Sequence, residues 1–170
     1  MLYLDRGKIK NMEPEKQAAL ADIYNDLALL ASEKLGYFDA VSYLKKSLEI
    51  YKGLNDPEGI AGALLNMGAF AYELGAMELA FKFTALAVTL FPNEETEGAK
   101  MARSNLENLS KIVLKYDDEK IKAEIEKVAQ EYEKRGFEFI DDLIFRLEAK
   151  ASVYDTLAKD KEKSEPPEGG

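Results

Sequence analysis

Apolar residues recur every three to four positions along most of the chain. Ala21, Tyr24, Leu27, Ala28 and Ala31 form one such series, and Leu64, Met67, Gly68 and Ala71 form another. That spacing places each series on one face of an α-helix, and no stretch alternates apolar and polar residues as a half-buried strand would. Pro14 and Pro57 each follow an acidic residue, as a proline at the first helical position does, whereas Pro92 closes a helix. Asp39, Asp56 and Asn93 fall where N-caps are expected, and Gly36, Gly75 and Gly136 where helices stop. The pattern predicts an all-α protein with helices near 14–35, 39–53, 57–74, 77–91, 94–116, 118–135 and 138–161. Short turns between them make sequential helices antiparallel neighbours.

One predicted helix is unusual. In ELGAMELAFKFTALAVTLFP, residues 73–92, only the stripe of Glu78, Lys82, Ala85 and Thr89 suits solvent. Leu79, Phe83, Leu86 and Leu90 line a second stripe, and Ala80, Thr84, Ala87 and Phe91 a third, so most of the circumference requires cover. A helix sandwiched between several neighbours meets that requirement. The second predicted helix, DAVSYLKKSLEIY, carries Ser42, Lys45, Lys46 and Glu49 and is ordinarily amphipathic, as expected nearer the end of a stack.

The chain also repeats itself. YNDLALLASE from Tyr24 aligns with LNMGAFAYE from Leu64 at a shift of 40 residues, and Ala40 aligns with Ala80 at the same shift. A period of that size indicates stacked helix pairs. Leu64, Met67, Gly68, Ala71, Gly75, Ala80, Ala87 and Pro92 together resemble the tetratricopeptide repeat family; Tyr24, Leu27, Ala28, Ala31, Ala40, Leu44 and Ser47 form a looser copy with an extra residue near Lys34. The resemblance covers about residues 18–92. It implies a right-handed α-α superhelix over 14–162, two repeats followed by a degenerate pair and a capping helix, with an N-terminal extension at 1–13 and a disordered tail at 163–170.

Composition narrows the chemistry. The 170-residue chain has neither Cys nor His, which removes thiol nucleophiles, thiolate metal sites, the commonest general base and the commonest transition-metal ligand. A net charge of −9 argues against nucleic-acid and anionic-membrane surfaces, which require clustered cations. The stretch MLYLDRGKIK lacks the apolar core of a signal peptide, so a cytoplasmic protein is expected. Gln17 and Gln130 are the only glutamines, and with abundant Lys and Glu the balance resembles that of proteins from hot-living organisms.

Two carboxylate pairs, Asp117 with Asp118 and Asp141 with Asp142, are the nearest approach to catalytic carboxylates. Adjacent helical residues point about 100° apart, so neither pair converges on one reacting atom. Both are read as residues of first helical turns, favourable to the helix dipole. Neither enzymatic activity nor a cofactor or metal is expected. Gly169 and Gly170 at the terminus belong to a tail without apolar anchors.

What the resemblance implies for function is binding. In the family, partner peptides lie in a concave groove lined by the first helix of each pair. The matching positions here are Asp22, Asn25, Asp26, Leu29, Ser32, Leu65, Asn66, Ala69, Tyr72 and Glu73. Members that clamp a terminal carboxylate use Lys, Asn and Arg, of which Asn66 matches here, with Lys100 and Arg103 as weaker counterparts. Asp22 and Asp26 would repel a carboxylate, so the expected partner is a protein or peptide segment that is apolar with a few basic residues.

The last predicted helix carries Ile140, Leu143, Ile144, Leu147, Ala151, Tyr154 and Leu157 on one face. Capping the open end of the stack, a homodimer seam, and occupation of the protein's own groove all remain open for it. The function expected is that of an interaction adaptor; the alternative is a structural homo-oligomer with no heterologous ligand.

Overall fold

The computed structural model of the protein describes residues 6–164, and every regular element there is helical. They run α1 (Arg6–Lys10), α2 (Pro14–Lys34), α3 (Tyr37–Gly53), α4 (Pro57–Glu73), α5 (Met77–Leu90), α6 (Glu97–Asn108), a π-helical turn (Leu109–Val113), α7 (Asp118–Arg135) and α8 (Phe137–Ser164). Pro14 and Pro57 open α2 and α4 as predicted, and the Asp56 carboxylate accepts from Gly59 N at 3.1 Å. Asp117 likewise caps α7, accepting from Lys120 N at 2.8 Å.

Several boundaries differ from the sequence reading, each for a local reason. Asp39 lies in the first turn of α3, whose N-cap is Gly36. Asn93 builds the turn ahead of α6, its Oδ1 accepting from Glu95 N at 2.9 Å, and Thr96 is the cap instead, accepting from Ala99 N at 3.2 Å. The helix expected to run to 116 changes winding at Leu109. There the buried Ser110 hydroxyl donates to Leu106 O at 2.6 Å, and Leu114 N reaches back to Leu109 O across a wider turn. A hydroxyl competing for a helix carbonyl favours such a departure. The short α1, anchored by the buried Ile9, was not predicted. Asp141 and Asp142 lie beyond the first turn of α8, because that helix begins at Phe137.

α2 with α3 and α4 with α5 are two hairpins in the same register. α3 starts at Tyr37 and α5 at Met77, the 40-residue shift of the sequence. Equivalent residues are buried in both: Tyr24 and Leu64, Ala28 and Gly68, Ala40 and Ala80, Ser47 and Ala87. The first hairpin carries its extra residue in α2, which reaches Lys34 and leaves Leu35 and Gly36 as the turn; the second turns through Leu74, Gly75 and Ala76. Ser47 links its hairpin by donating to Ala21 O at 2.9 Å. Where the second hairpin closes, Gly68 lies so near α5 that an added Cβ would stand 2.7 Å from Thr84 Oγ1.

α5 is covered from several sides, by α4, α6, the π turn, α7 and α8. The unusual apolarity of its sequence is thereby explained. Cover is more complete than predicted: Ala85, placed by the wheel on the wet stripe, is fully buried. Phe81 meets Tyr116 edge to face with ring centroids 5.9 Å apart.

α8 packs against α3, α7 and, to a lesser extent, α5. It runs antiparallel to α3, since Phe137 lies under Lys52, Glu148 pairs with Lys45 at 3.2 Å, and Asp155 reaches the start of α3. Phe139, Ile140, Leu143, Ile144, Leu147 and Ala151 are buried there, whereas Tyr154 and Leu157, predicted on the same face, are exposed. α8 continues through Lys163 and Ser164, which the sequence reading assigned to the tail; residues 165–170 lie outside the described residues. No described helix is long and apolar enough to cross a membrane.

The contact of Asp155 with α3 is a cap supplied from 118 residues away. Its two carboxylate oxygens accept from Tyr37 N and Phe38 N, each at 2.9 Å. Gly36 makes room for it: the backbone there has φ +127°, and a Cβ would stand 2.7 Å from Asp155 Oδ2. Losing an N-cap costs about 1 kcal/mol, which lowers Tm by roughly 2–4 °C in a domain of this size. Asp155→Ala is therefore expected to lower the melting temperature by about that amount, and Asp155→Asn, which keeps an acceptor, by less. Calorimetry on the three proteins checks it.

Candidate functional site

The first helices of the two hairpins turn one face to the core and another away from it. On α2, Ala21, Tyr24, Ala28 and Ala31 face inward, leaving Asp22, Asn25 and Leu29 one position on and Asp26 beside them. α4 does the same with Asn66, Ala69, Tyr72 and Glu73 outside its buried series.

The structure divides these residues between two cavities. The first, of about 440 Å³, lies between α2 and α4 and brings together Asp22, Asn25, Leu65 and Asn66. Tyr51 and Phe91, equivalent residues at the ends of α3 and α5, line it, together with Asp56, Glu58 and Gly98 of α6. The second, of about 240 Å³, lies between α4 and α6 and holds Ala69, Tyr72 and Glu73 with Thr84, Asn105 and Asn108. Asp26 and Leu29 are exposed on α2 and line neither cavity. Ser32 turns its hydroxyl to its own helix, donating to Leu29 O at 2.7 Å.

Leu65 is a correction. Expected as an exposed groove residue, it is only 7% exposed, because it packs into the cavity wall between helices. Tyr72 keeps 47% of its surface exposed and is the larger free apolar contact.

The first cavity is rich in acceptors. Asp22, Asp56 and Glu58 line it with no Lys or Arg among the lining residues. The Tyr51 hydroxyl donates to Asp22 Oδ1, and Asn25 Nδ2 donates to Tyr51 Oη at 3.5 Å. Burial, followed by that bond to the Asp22 carboxylate, holds the Tyr51 phenol well above its usual pKa and therefore protonated. Asn25 Oδ1 is buried without a hydrogen-bond partner. Carboxylates, two amide side chains and two aromatic rings thus lie side by side along this cavity.

In the second cavity Glu73 carries the negative charge and accepts from the Tyr37 hydroxyl at 2.5 Å. Burial and that bond raise the Tyr37 pKa in the same way. Asn105 and Asn108 supply donors and acceptors beside the Tyr72 ring. No protein-family model, curated protein or solved structure matches the chain.

The carboxylate-clamp positions do not assemble. Asn66 lines the first cavity, whereas Lys100 and Arg103 are exposed on α6 and line neither. The two aspartate pairs have other tasks or none: Asp117 caps α7, Asp118 lies 3.9 Å from Lys111, and Asp142 pairs with Arg135. Among the described residues no group of three or more acidic side chains comes together to hold a metal ion.

Sequence reasoning missed Tyr51, Asp56, Glu58, Asn105 and Asn108. Tyr51 could have been found, since it aligns with Phe91 at the repeat shift. Asp56 was legible only as a cap, and α6 departs too far from the repeat to index its asparagines.

Proposed function

We propose that the protein is a non-catalytic interaction adaptor, a tetratricopeptide-like superhelix whose groove across α2, α4 and α6 binds a peptide segment that is apolar with basic residues. The observation that carries this reading is the acceptor-lined cavity between equivalent helices of two hairpins. Its carboxylates favour a Lys or Arg side chain, and Tyr51, Phe91 and Leu65 accept the aliphatic stem. The 40-residue register of the hairpins supports the family resemblance, and α8 lies along α3, not between α2 and α4.

Tyr72, large and half exposed beside Glu73, is the anchor expected to contribute most. Replacing it by Ala should cost about 1–2 kcal/mol, a fall in affinity of roughly 5- to 30-fold. Asp26 lines no cavity but adds to the negative field of this face, so Asp26→Lys should mainly slow association and weaken its salt dependence. Stopped-flow anisotropy with a labelled peptide alternating Leu and Arg measures both effects. Unchanged binding in both variants would remove the groove from consideration.

A second reading, a structural homo-oligomer, is favoured by the exposure of Phe145, Val153 and Leu157 on α8. Light scattering separates the two, since a dimer that persists on dilution would support the oligomer.

A further inference from the structure

We infer that the protein has a second docking site, a basic trough along α3 that binds an acidic polypeptide segment bearing apolar side chains. The trough begins as a cavity of about 410 Å³ between α1, α2 and α3, where Arg6, Lys10, Lys46 and Lys52 surround an apolar floor of Ile9 and Ile50. A second depression of about 230 Å³ shares Arg6, Lys46 and Glu49 and extends the trough to Ser42 and Lys45.

Three of the cations have partners within the described structure. Arg6 pairs with Glu49 at 2.5 Å, Lys45 pairs with Glu148 at 3.2 Å, and Lys52 Nζ stands 4.5 Å over the Phe137 ring. Among the described lining residues, Arg6, Lys10, Lys45, Lys46 and Lys52 outnumber the carboxylate Glu49, with Glu148 beside Lys45, so these residues carry a positive excess in a chain of net charge −9. Screening at physiological salt acts within about 8 Å, so an approaching segment responds to this local cluster.

Shape selects the class of ligand. From Ser42 to Gly53 the trough follows α3 for about 16 Å at 1.5 Å per residue, the length of roughly five extended residues. An elongated depression with charge along its rim and Ile9 and Ile50 at its base suits a strand-like or helical segment with alternating carboxylates and aliphatic side chains.

This site is distinct from the acidic cavity. The two share no lining residue: on α2, Gln17 lines the basic trough and Ala18 the acidic cavity; on α3, Ile50 lines one and Tyr51 the other. One hairpin thus contributes to two depressions of opposite charge with separate linings, and two segments of opposite charge can bind together without competing.

A labelled peptide alternating Glu and Leu, titrated into the full chain and followed by anisotropy, tests the inference. The same peptide with Lys for Glu serves as comparison. Binding of the acidic peptide is expected to weaken with salt, to fall at least tenfold in Lys10→Glu/Lys46→Glu, and to survive in Lys46→Arg. Asp22→Lys, in the acidic cavity and outside the trough, is expected to leave it unchanged, so this result stands or falls apart from the proposed groove. Should the double reversal melt early, shifts of the Ile9, Lys46 and Ile50 amides in the unmodified protein decide the location. The inference is overturned if the acidic peptide does not bind, if its binding is indifferent to the charge reversal, or if light scattering shows that a second copy of the chain occupies the trough.

Discussion

Removing residues 137–170 is expected to yield an aggregating or molten species, not a shorter domain that melts cooperatively. Phe139, Ile140, Leu143, Ile144 and Leu147 are all buried against the rest of the chain. Fully burying a large apolar side chain contributes about 1.5–3 kcal/mol, so these five account for roughly 8–15 kcal/mol as an upper bound. That equals the whole stability of an ordinary domain, about 5–15 kcal/mol. Truncation also exposes the faces of α3 and α7 that α8 covers, and removes the Asp155 cap. Dye binding and near-UV dichroism on the truncated chain would show the loss of packing. A truncation that stays monomeric and unfolds in one sharp transition would mean that α8 is dispensable to the fold and available for binding.

Gly68→Leu is expected to be the most damaging single substitution among the hairpin contacts. A Cβ at this position would be 2.7 Å from Thr84 Oγ1 and 3.4 Å from both Ala80 O and Phe83 Cβ. Thr84 has little freedom to yield, because it is buried and its hydroxyl donates to Ala80 O at 2.7 Å. Overpacking a tight contact costs about 1–3 kcal/mol, and the full Leu side chain demands the upper part of that range or more. Denaturant unfolding of both proteins gives the difference. A loss of only a few tenths of a kcal/mol would show that the two helices do not need their close approach.

The fold was legible where local chemistry and packing agree. Pro14, Pro57 and Asp56 start helices, the small residues Ala40, Gly68, Ala80 and Ala87 are all buried, and Gly68 lies close to α5, each visible in sequence. Legibility failed where tertiary context decides. Nothing around Ser110 in sequence announces a π turn, since its burial under neighbouring helices is what turns the hydroxyl onto Leu106 O. Asp155 reads as one more charge on a polar helix end, and only the fold brings it to α3.

The candidate site was half legible for the same reason. Helical spacing set Asn25, Asn66, Ala69 and Tyr72 apart from the buried series of α2 and α4, where Ala69 and Tyr72 are exposed and Asn25 and Asn66 half-buried. It could not show that Leu65 closes into the wall, nor that Tyr51 crosses from α3 to bond Asp22. The basic trough was invisible, because Arg6 and Lys10 are far in sequence from Lys46 and Lys52 and meet only through the packing of α1.

Amide chemical-shift mapping with the peptide alternating Leu and Arg tests the central claim most directly. The account predicts saturable shifts concentrated at Asn25, Leu65, Asn66, Ala69 and Tyr72, reduced by Asp22→Lys. Shifts spread over the exposed carboxylates of α7, or no shifts at these five residues, would contradict it.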